Sequence, residues 1–112
     1  MAFRTDLNAM ILGTLQAGPL HGYQIVKTIR DAGGAPKLTE GQIYPYLHKL
    51  EEQGLLAAEW QTDTGTAPRR VYELTQKGTT ELEHQKAAWG SFAKGVGSIL
   101  ATQKQKLEKG YV

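Results

Sequence analysis

Cysteine is absent from this chain of 112 residues, and its absence excludes several kinds of chemistry at once. Without thiols there are no disulfides, no thiolate ligands for a metal ion and no cysteine nucleophile. Serine occurs only as Ser91 and Ser98, and neither has a base nearby in the sequence. We therefore expect no nucleophilic catalysis and, more broadly, no enzymatic activity.

Histidine is also scarce, and His21, His48 and His84 are too far apart to match any metal-binding motif, so we expect neither a metal site nor a cofactor. Long apolar runs are missing as well, and no basic segment followed by an apolar stretch opens the chain. No segment is long enough to span a bilayer, which predicts a cytoplasmic protein without a membrane partner.

The charge is small and unevenly distributed. The net charge is +2, but residues 1–75 carry seven Lys and Arg against eight Asp and Glu, whereas residues 76–112 carry six against three. A nucleic-acid footprint in the first part must therefore be a local basic patch. The length predicts one small domain with an appended element, divided into residues 1–75 and 76–112.

The stretch from residue 38 to residue 56 predicts a helix over residues 39–53 with two different faces. Thr39 and Gln42 form a capping box at its start, and Gly54 can end it in a left-handed conformation. One face is apolar at helical spacing and the opposite face carries hydrogen-bond donors: Ile43, Leu47 and Leu50 against Gln42, Tyr44, His48 and Lys49. Such a helix suits a major groove, although an ordinary amphipathic surface helix has the same pattern.

Two shorter helices precede this segment and two strands follow it. Asp6 can cap the first helix, which Gly18 and Pro19 end, and His21 opens the second. Their apolar positions recur at helical spacing: Leu7, Ile11, Leu12 and Leu15, then Ile25, Val26 and Ile29. Residues 55–62 and 70–74 have strand character and enclose a polar loop. The predicted fold is mostly α with a small β-hairpin, a winged helix-turn-helix whose wing is residues 63–70.

A long final helix is predicted from Gln76, with Thr75 as its cap. Its apolar residues fall close to a heptad stripe: Leu82, Trp89, Phe92, Val96, Ile99, Leu100 and Leu107. Because residues 1–75 already close a core, we expect this stripe to pack against the same helix of a second subunit. Gly90, Gly95 and Gly97 weaken the helix by about 1 kcal/mol each, and they allow a bend, a close approach of helices or a break.

Five segments, taken in order, resemble the PadR family of bacterial transcriptional regulators. They are residues 11–13 (ILG), 21–23 (HGY), 40–45 (EGQIYP), 50–55 (LEEQGL) and 68–75 (PRRVYELT). The length resembles the short branch of that family, which has a single C-terminal dimerisation helix. The resemblance implies a homodimeric repressor that binds a pseudo-palindromic operator in double-stranded DNA and responds to a small molecule.

Eight side chains are candidates for DNA contact. They are Thr39, Gln42, Tyr44, His48 and Lys49 on the recognition helix, Tyr23 on the helix before it, and Arg69 and Arg70 on the wing. For Tyr23 and Tyr44, packing in the core or in a turn is an equal alternative. The two arginines can instead pair with Glu59 or Glu73 across the hairpin, but we favour contact with phosphate or the minor groove for at least one of them.

Trp89 is the candidate for binding an effector. A tryptophan on the seam of a dimer helix usually packs as core, but two copies can also stack on a planar aromatic ligand, with Phe92, Val96 and Met10 as neighbours.

A second class of function is a winged helix that acts as a protein–protein interaction module without DNA binding of its own. The slightly negative charge of residues 1–75 favours it, whereas Arg69 and Arg70 of the wing and the face formed by His48 and Lys49 favour DNA.

Overall fold

The computed structural model describes residues 3–62, 65 and 67–108, and the side chains of residues 7–62, 65 and 67–101. In chain order the elements are α1 (Phe3–Thr14), β1 (Leu20–His21), α2 (Gly22–Asp31), α3 (Glu40–Glu52), β2 (Leu56–Gln61), β3 (Arg69–Leu74) and α4 (Gln76–Glu108). The chain is thus mostly helical with one small sheet, as predicted. Within the predicted wing, Asp63, Thr64 and Thr66 lie outside the described residues.

The apolar stripes of α1, α2 and α3 meet in one core. Every stripe position predicted for these helices is buried: Leu7, Ile11, Leu12, Leu15, Ile25, Val26, Ile29, Ile43, Leu47 and Leu50. Ala35 and Leu38 from the connection before α3 join them, together with Leu56 and Tyr72 from the sheet. Since full burial of a Leu or Ile side chain is worth about 1.5–3 kcal/mol, this packing fixes which face of α3 points outward.

The sheet has three antiparallel strands in the order β1-β3-β2, not two. The predicted hairpin is present, with Leu56 opposite Leu74 and Gln61 opposite Arg69. The prediction was incomplete because Leu20 and His21 form β1 and pair with Tyr72 and Val71. A strand of two residues is too short to show alternation, so the sequence pattern contains no signal for it. Helix α2 consequently begins at Gly22.

Helix α1 differs from its predicted boundaries at both ends. It begins at Phe3, so Asp6 lies inside the helix and does not cap it, and it ends at Thr14, before Gly18 and Pro19. Two side chains donate hydrogen bonds to carbonyl groups near its C-terminal end. Thr14 Oγ1 donates to the Ile11 carbonyl at 2.7 Å, and Gln16 Nε2 donates to the Gly13 carbonyl at 3.0 Å. These local bonds compete with helix continuation.

Helix α4 begins at Gln76, as predicted, and runs to Glu108 without interruption, so its glycines do not divide it. Leu82 is buried in the core, which corrects its assignment to the stripe for a second subunit. The exposed stripe begins at Trp89, and the side chain of Leu107 lies outside the described residues. The chain divides into two compact units, Met1–Leu82 and Glu83–Val112. In the part of the chain that the structure describes, no helix combines the length and apolar character needed to span a bilayer.

Candidate nucleic-acid interface

Helix α3 starts with the predicted capping box. The backbone N–H of Gln42 donates to Oγ1 of Thr39 at 3.3 Å, and the backbone N–H of Thr39 donates to Oε1 of Gln42 at 3.0 Å. The helix continues through Pro45, and Gly54 follows it with a φ of 78°. Oε1 of Gln42 thus accepts within the cap, and the amide nitrogen carries the two N–H donors of this side chain.

The exposed side chains of α3 lie on two flanks of the helix. Successive residues are about 100° apart, so Gln42 and Lys49, seven positions apart, lie on one flank. Tyr44 lies on the opposite flank, which faces the base of the wing. His48 lies between the flanks, and its Nε2 is 3.2 Å from Oε1 of Glu52 in an exposed pair. The predicted contact residues of α3 therefore do not form a single cluster.

Tyr44 packs over the start of α2. A Cβ built on Gly22 would lie 2.8 Å from the Tyr44 hydroxyl oxygen and 3.1 Å from ring carbons, so the ring occupies space that only glycine provides. The hydroxyl donates to Oε2 of Glu40 at 3.2 Å. Burial raises the pKa of the Tyr44 phenol, and the Glu40 carboxylate raises it further. The ring is thus packed, although 43% of the residue remains exposed.

Arg70 ties the wing to the end of α3. Its Nη2 donates to Oε2 of Glu51 at 2.8 Å, and both side chains are about two-thirds buried. The guanidinium also lies over the ring of Trp60, 5.6 Å from the centroid. Strand register explains this contact, because Trp60 is directly opposite Arg70 in the sheet. The carboxylate partner is therefore Glu51 and neither of the two acids predicted from the hairpin.

Arg69 meets a different partner. Its Nη1 lies 3.0 Å from Nε2 of His21, and because a guanidinium can only donate, the imidazole nitrogen accepts. Burial lowers the pKa of His21 and the charge of Arg69 lowers it further, while Glu40 acts in the opposite direction. The ring of His21 also stacks on Tyr23, with centroids 6.4 Å apart and planes 26° apart.

These contacts surround a pocket of about 630 Å³ between the start of α2, the first turns of α3 and the base of the wing. Its walls include His21, Tyr23, Glu40, Tyr44, Arg69 and Arg70. The structure thus brings together four predicted residues that are far apart in sequence, namely Tyr23, Tyr44, Arg69 and Arg70. It leaves Thr39, Gln42, His48 and Lys49 on the rest of the α3 surface.

Sequence reasoning missed three residues of this region. Gly22 makes room for Tyr44, His21 accepts from Arg69, and Glu51 anchors Arg70. For Glu51 a signal existed, because it follows Tyr44 by seven positions and must lie on the same flank of α3. For Gly22 and His21 the sequence alone offered no such constraint.

None of the four effector candidates is among the residues that line this pocket. Trp89 and Phe92 contact each other edge to face, with centroids 5.7 Å apart and planes 86° apart, and both are partly exposed, as is Val96. Met10 is half-buried against the core, and its sulfur occupies the place that a Cβ on Gly34 would take. Among the described residues, no three His, Cys, Asp or Glu side chains are grouped so that they can hold a metal ion.

Several regulators are similar to this chain. It is 38% identical over 93 residues to the transcriptional regulator Rv3488 of Mycobacterium tuberculosis. The aligned residues cover 83% of this chain and 84% of that protein. A PadR family transcriptional regulator from Eggerthella lenta has a crystal structure that matches with a TM-score of 0.73 and 36% identity, over 89% of this chain and 86% of that one.

The negative transcriptional regulator PadR of Bacillus subtilis is 32% identical over 77 residues, which span 68% of this chain but only 42% of that protein. Its crystal structure in complex with operator DNA matches with a TM-score of 0.64 and 31% identity, over 70% of this chain and 45% of that one.

The sequence of this chain also matches the model of a protein family. The model of the transcriptional regulator PadR-like family matches residues 11–84, a range that contains all five segments of the predicted resemblance. Members of this family are transcriptional regulators and not enzymes, in agreement with the prediction made from the missing catalytic groups. The predicted winged-helix fold is confirmed, and the chain belongs to the PadR-like family of transcriptional regulators.

Proposed function

We propose that the chain is a homodimeric repressor that reads a pseudo-palindromic operator with α3 and the wing and responds to a planar aromatic small molecule. The observation that carries the DNA-binding part is the outer surface of α3, where Gln42, His48 and Lys49 are exposed. The complex of Bacillus subtilis PadR with operator DNA supports this part, and the description of that protein as a negative regulator supports repression.

Gln42 reads a base edge through its amide nitrogen, because its oxygen is held in the helix cap. Gln42→Glu keeps the capping oxygen and removes the donors, whereas Gln42→Ala removes both. Both substitutions should relax preference at one base pair, by about 1 kcal/mol for a single hydrogen bond. The alanine variant should in addition lose about 1 kcal/mol of stability through the cap.

The measurement is competition between operator variants that differ at single base pairs, on an operator recovered from fragmented genomic DNA that the protein retains. Lys49→Ala is the control, because loss of a phosphate contact should weaken binding to all variants alike. If Gln42→Glu ranks the variants as the parent does, Gln42 does not read a base.

The wing acts through Arg69, while Arg70 holds the wing in place. Arg69→Ala should weaken binding to every duplex and flatten the dependence of log K on log salt by about 1. Arg70→Ala should lower the melting temperature, since it removes the contacts with Glu51 and Trp60. An Arg69→Ala protein that titrates with salt like the parent would disprove the wing contact. A parent chain without any salt-dependent binding to duplex DNA would favour the protein–protein interaction module.

The dimer forms through the apolar stripe of α4. Trp89, Phe92, Val96, Ile99 and Leu100 lie on one side of the helix and are exposed in the single chain, Leu100 by 76%. A stripe of this kind is stable in water when a second copy covers it, and a two-fold axis lets the same residues serve both subunits.

Sedimentation of the full chain should therefore give a dimer at micromolar concentration. Phe92→Glu, which places a charge within the stripe, should shift the chain toward monomer. Ala87→Glu, on the opposite side of the helix, is the matched control and should leave the dimer intact. A parent chain that sediments as a monomer would exclude this part of the proposal.

The effector binds between the two copies of Trp89 in the dimer. A flat aromatic ring stacked on each indole gains about 0.5–1.5 kcal/mol per pair beyond area burial. Its binding changes operator affinity only if it favours one arrangement of the two DNA-binding units over another.

The test uses a Trp60→Phe background, so that fluorescence reports Trp89 alone. Planar aromatic compounds should quench this fluorescence and change operator affinity over the same concentration range. Trp89→Ala should abolish both effects and keep the dimer. Dissociation of the dimer by Trp89→Ala, without ligand binding by the parent, would mean that Trp89 serves only as core.

A further inference from the structure

The pocket between α2, α3 and the wing contains a histidine that the proposed function does not use. His21 stands at the end of β1, where its ring stacks on Tyr23 and its Nε2 accepts from Arg69. Since Nε2 must accept in this contact, the imidazole is neutral there. A protonated ring would lose the hydrogen bond and would face the guanidinium as a second cation.

The groups that set the electrostatics around His21 come from two elements, β3 and α3. Arg69 on β3 contacts His21 directly and lowers its pKa, whereas the carboxylate of Glu40 on α3 raises it. The hydroxyl of Tyr44, also on α3, donates a hydrogen bond to Glu40. The charge of Arg70 is compensated by Glu51, 2.8 Å away. In the free protein the remaining charges are the positive charge of Arg69 and the negative charge of Glu40. The net charge of the pocket is therefore close to zero.

A phosphate group entering this pocket would change the hydrogen bonding of His21. Phosphate oxygens only accept, so they compete with Nε2 of His21 for the N–H donors of Arg69. Beside an anion the protonated imidazole is favoured, and it can then donate a charge-assisted hydrogen bond from Nε2. The hydroxyl group of Tyr23, a residue that is 52% exposed, is a further donor on the same wall.

We propose that this pocket binds a backbone phosphate of duplex DNA and that His21 takes up a proton from solvent as the phosphate enters. The inference rests on the proposed DNA binding and adds to it a residue and a linked proton. The pKa of His21 is lowered in the free protein by burial and by Arg69, and this direction favours the neutral ring that accepts from Arg69. DNA affinity then rises as the pH falls.

The test is fluorescence anisotropy with a labelled duplex of random sequence, at fixed salt, between about pH 5.5 and pH 8. One linked proton changes the affinity by at most about tenfold per pH unit. The parent should approach this slope over part of the range, and His21→Gln should flatten it while matching the parent more closely at high pH. Glutamine keeps an acceptor for Arg69 but does not titrate.

Two further variants distinguish the contribution of His21 to the pH dependence from those of His84 and His48. His84→Gln lies outside the proposed interface and should leave affinity and slope unchanged. His48→Gln reports any proton taken up by the other imidazole of the interface. In the parent protein, the NMR titration of the His21 ring should also move to higher pH when the duplex is added, which requires no variant.

The outcomes are distinct. If the parent shows no salt-dependent binding at any pH, the proposed function fails. If the parent binds but His21→Gln keeps the same slope, or loses the same factor of affinity at every pH, His21 only positions Arg69 and the linked proton is excluded. A flattened slope together with the shifted ring titration supports the inference.

Discussion

Replacing Gly78 with alanine tests how closely the start of α4 is docked on the chain that follows α3. A Cβ built on Gly78 would overlap the backbone carbonyl oxygen of Leu55. Neither side can easily move away, because the Thr75 N–H donates to that same carbonyl at 3.2 Å and Lys77 Nζ donates to the Gln53 carbonyl at 2.8 Å. The neighbouring atom is backbone and not the flexible end of a side chain.

Two effects of opposite sign decide the result. In an open helix, alanine is more favourable than glycine by about 1 kcal/mol. Overpacking against a fixed neighbour costs about 1–3 kcal/mol and occasionally more. Moving the two backbones apart would also strain the hydrogen bonds to the carbonyl groups of Leu55 and Gln53. We therefore expect the overpacking cost of Gly78→Ala to be at or above the upper end of this range, about 3 kcal/mol. The net loss is then about 2 kcal/mol, which lowers the melting temperature by on the order of 10 °C.

Thermal and urea unfolding of the full chain measure this loss, at one protein concentration because the proposed dimerisation would also add stability. Gly90→Ala is the matched control, since it changes the same residue in the same helix, away from the apolar stripe, with no atom within 4 Å of its new Cβ. It should raise stability by about 1 kcal/mol. If Gly78→Ala is also more stable than the parent, the docking of α4 on Leu55 is not as described.

Three other predictions concern the pocket and its rim. Arg70→Gln and Glu51→Gln should each lower the free energy of unfolding by about 1 kcal/mol, and the double variant should lose less than the sum, as a double-mutant cycle would reveal. Gly22→Ala should displace the Tyr44 ring at a cost of about 1 kcal/mol and bring the phenol titration in NMR closer to its ordinary value, because burial is the main cause of its raised pKa. Since the pKa of His21 is lowered in the folded protein, the unfolded chain binds this proton first, so stability should fall as the pH drops through about 6.5, and less so in His21→Gln.

The fold was predictable because its main elements repeat a pattern over many residues. Ile43, Leu47 and Leu50 share one side of α3 at helical spacing, and all are buried, as are the corresponding positions of α1 and α2. Strand β1 left no such pattern, because it is two residues long and is defined by its pairing with β3. Leu82 was misplaced for a related reason, since a heptad pattern does not state where one partner surface ends and another begins.

The candidate site was predictable in residue type and not in contacts. The sequence indicated that Arg69 and Arg70 belong to a wing, but not that one meets an imidazole and the other a carboxylate of α3. Those partners depend on strand register and on how the sheet lies against the helices. Gln42 illustrates the same limit, because one side chain can both cap a helix and face DNA, and only the hydrogen-bond geometry assigns its oxygen to the cap.

These contacts also restrict how an effector can act in the proposed dimer. The ion pair of Arg70 with Glu51 and the hydrogen bond of Arg69 with His21 hold the wing against the helices within each DNA-binding unit. A ligand bound by the C-terminal helices gains little by disturbing them, since breaking a partly buried ion pair opposes its binding. The spacing between the two DNA-binding units of the proposed dimer is easier to change. A different spacing would alter operator affinity without altering the contacts inside either DNA-binding unit. We therefore expect base preference to reside in each DNA-binding unit of the proposed dimer, and regulation by the proposed effector to act through the helices that would join the two subunits.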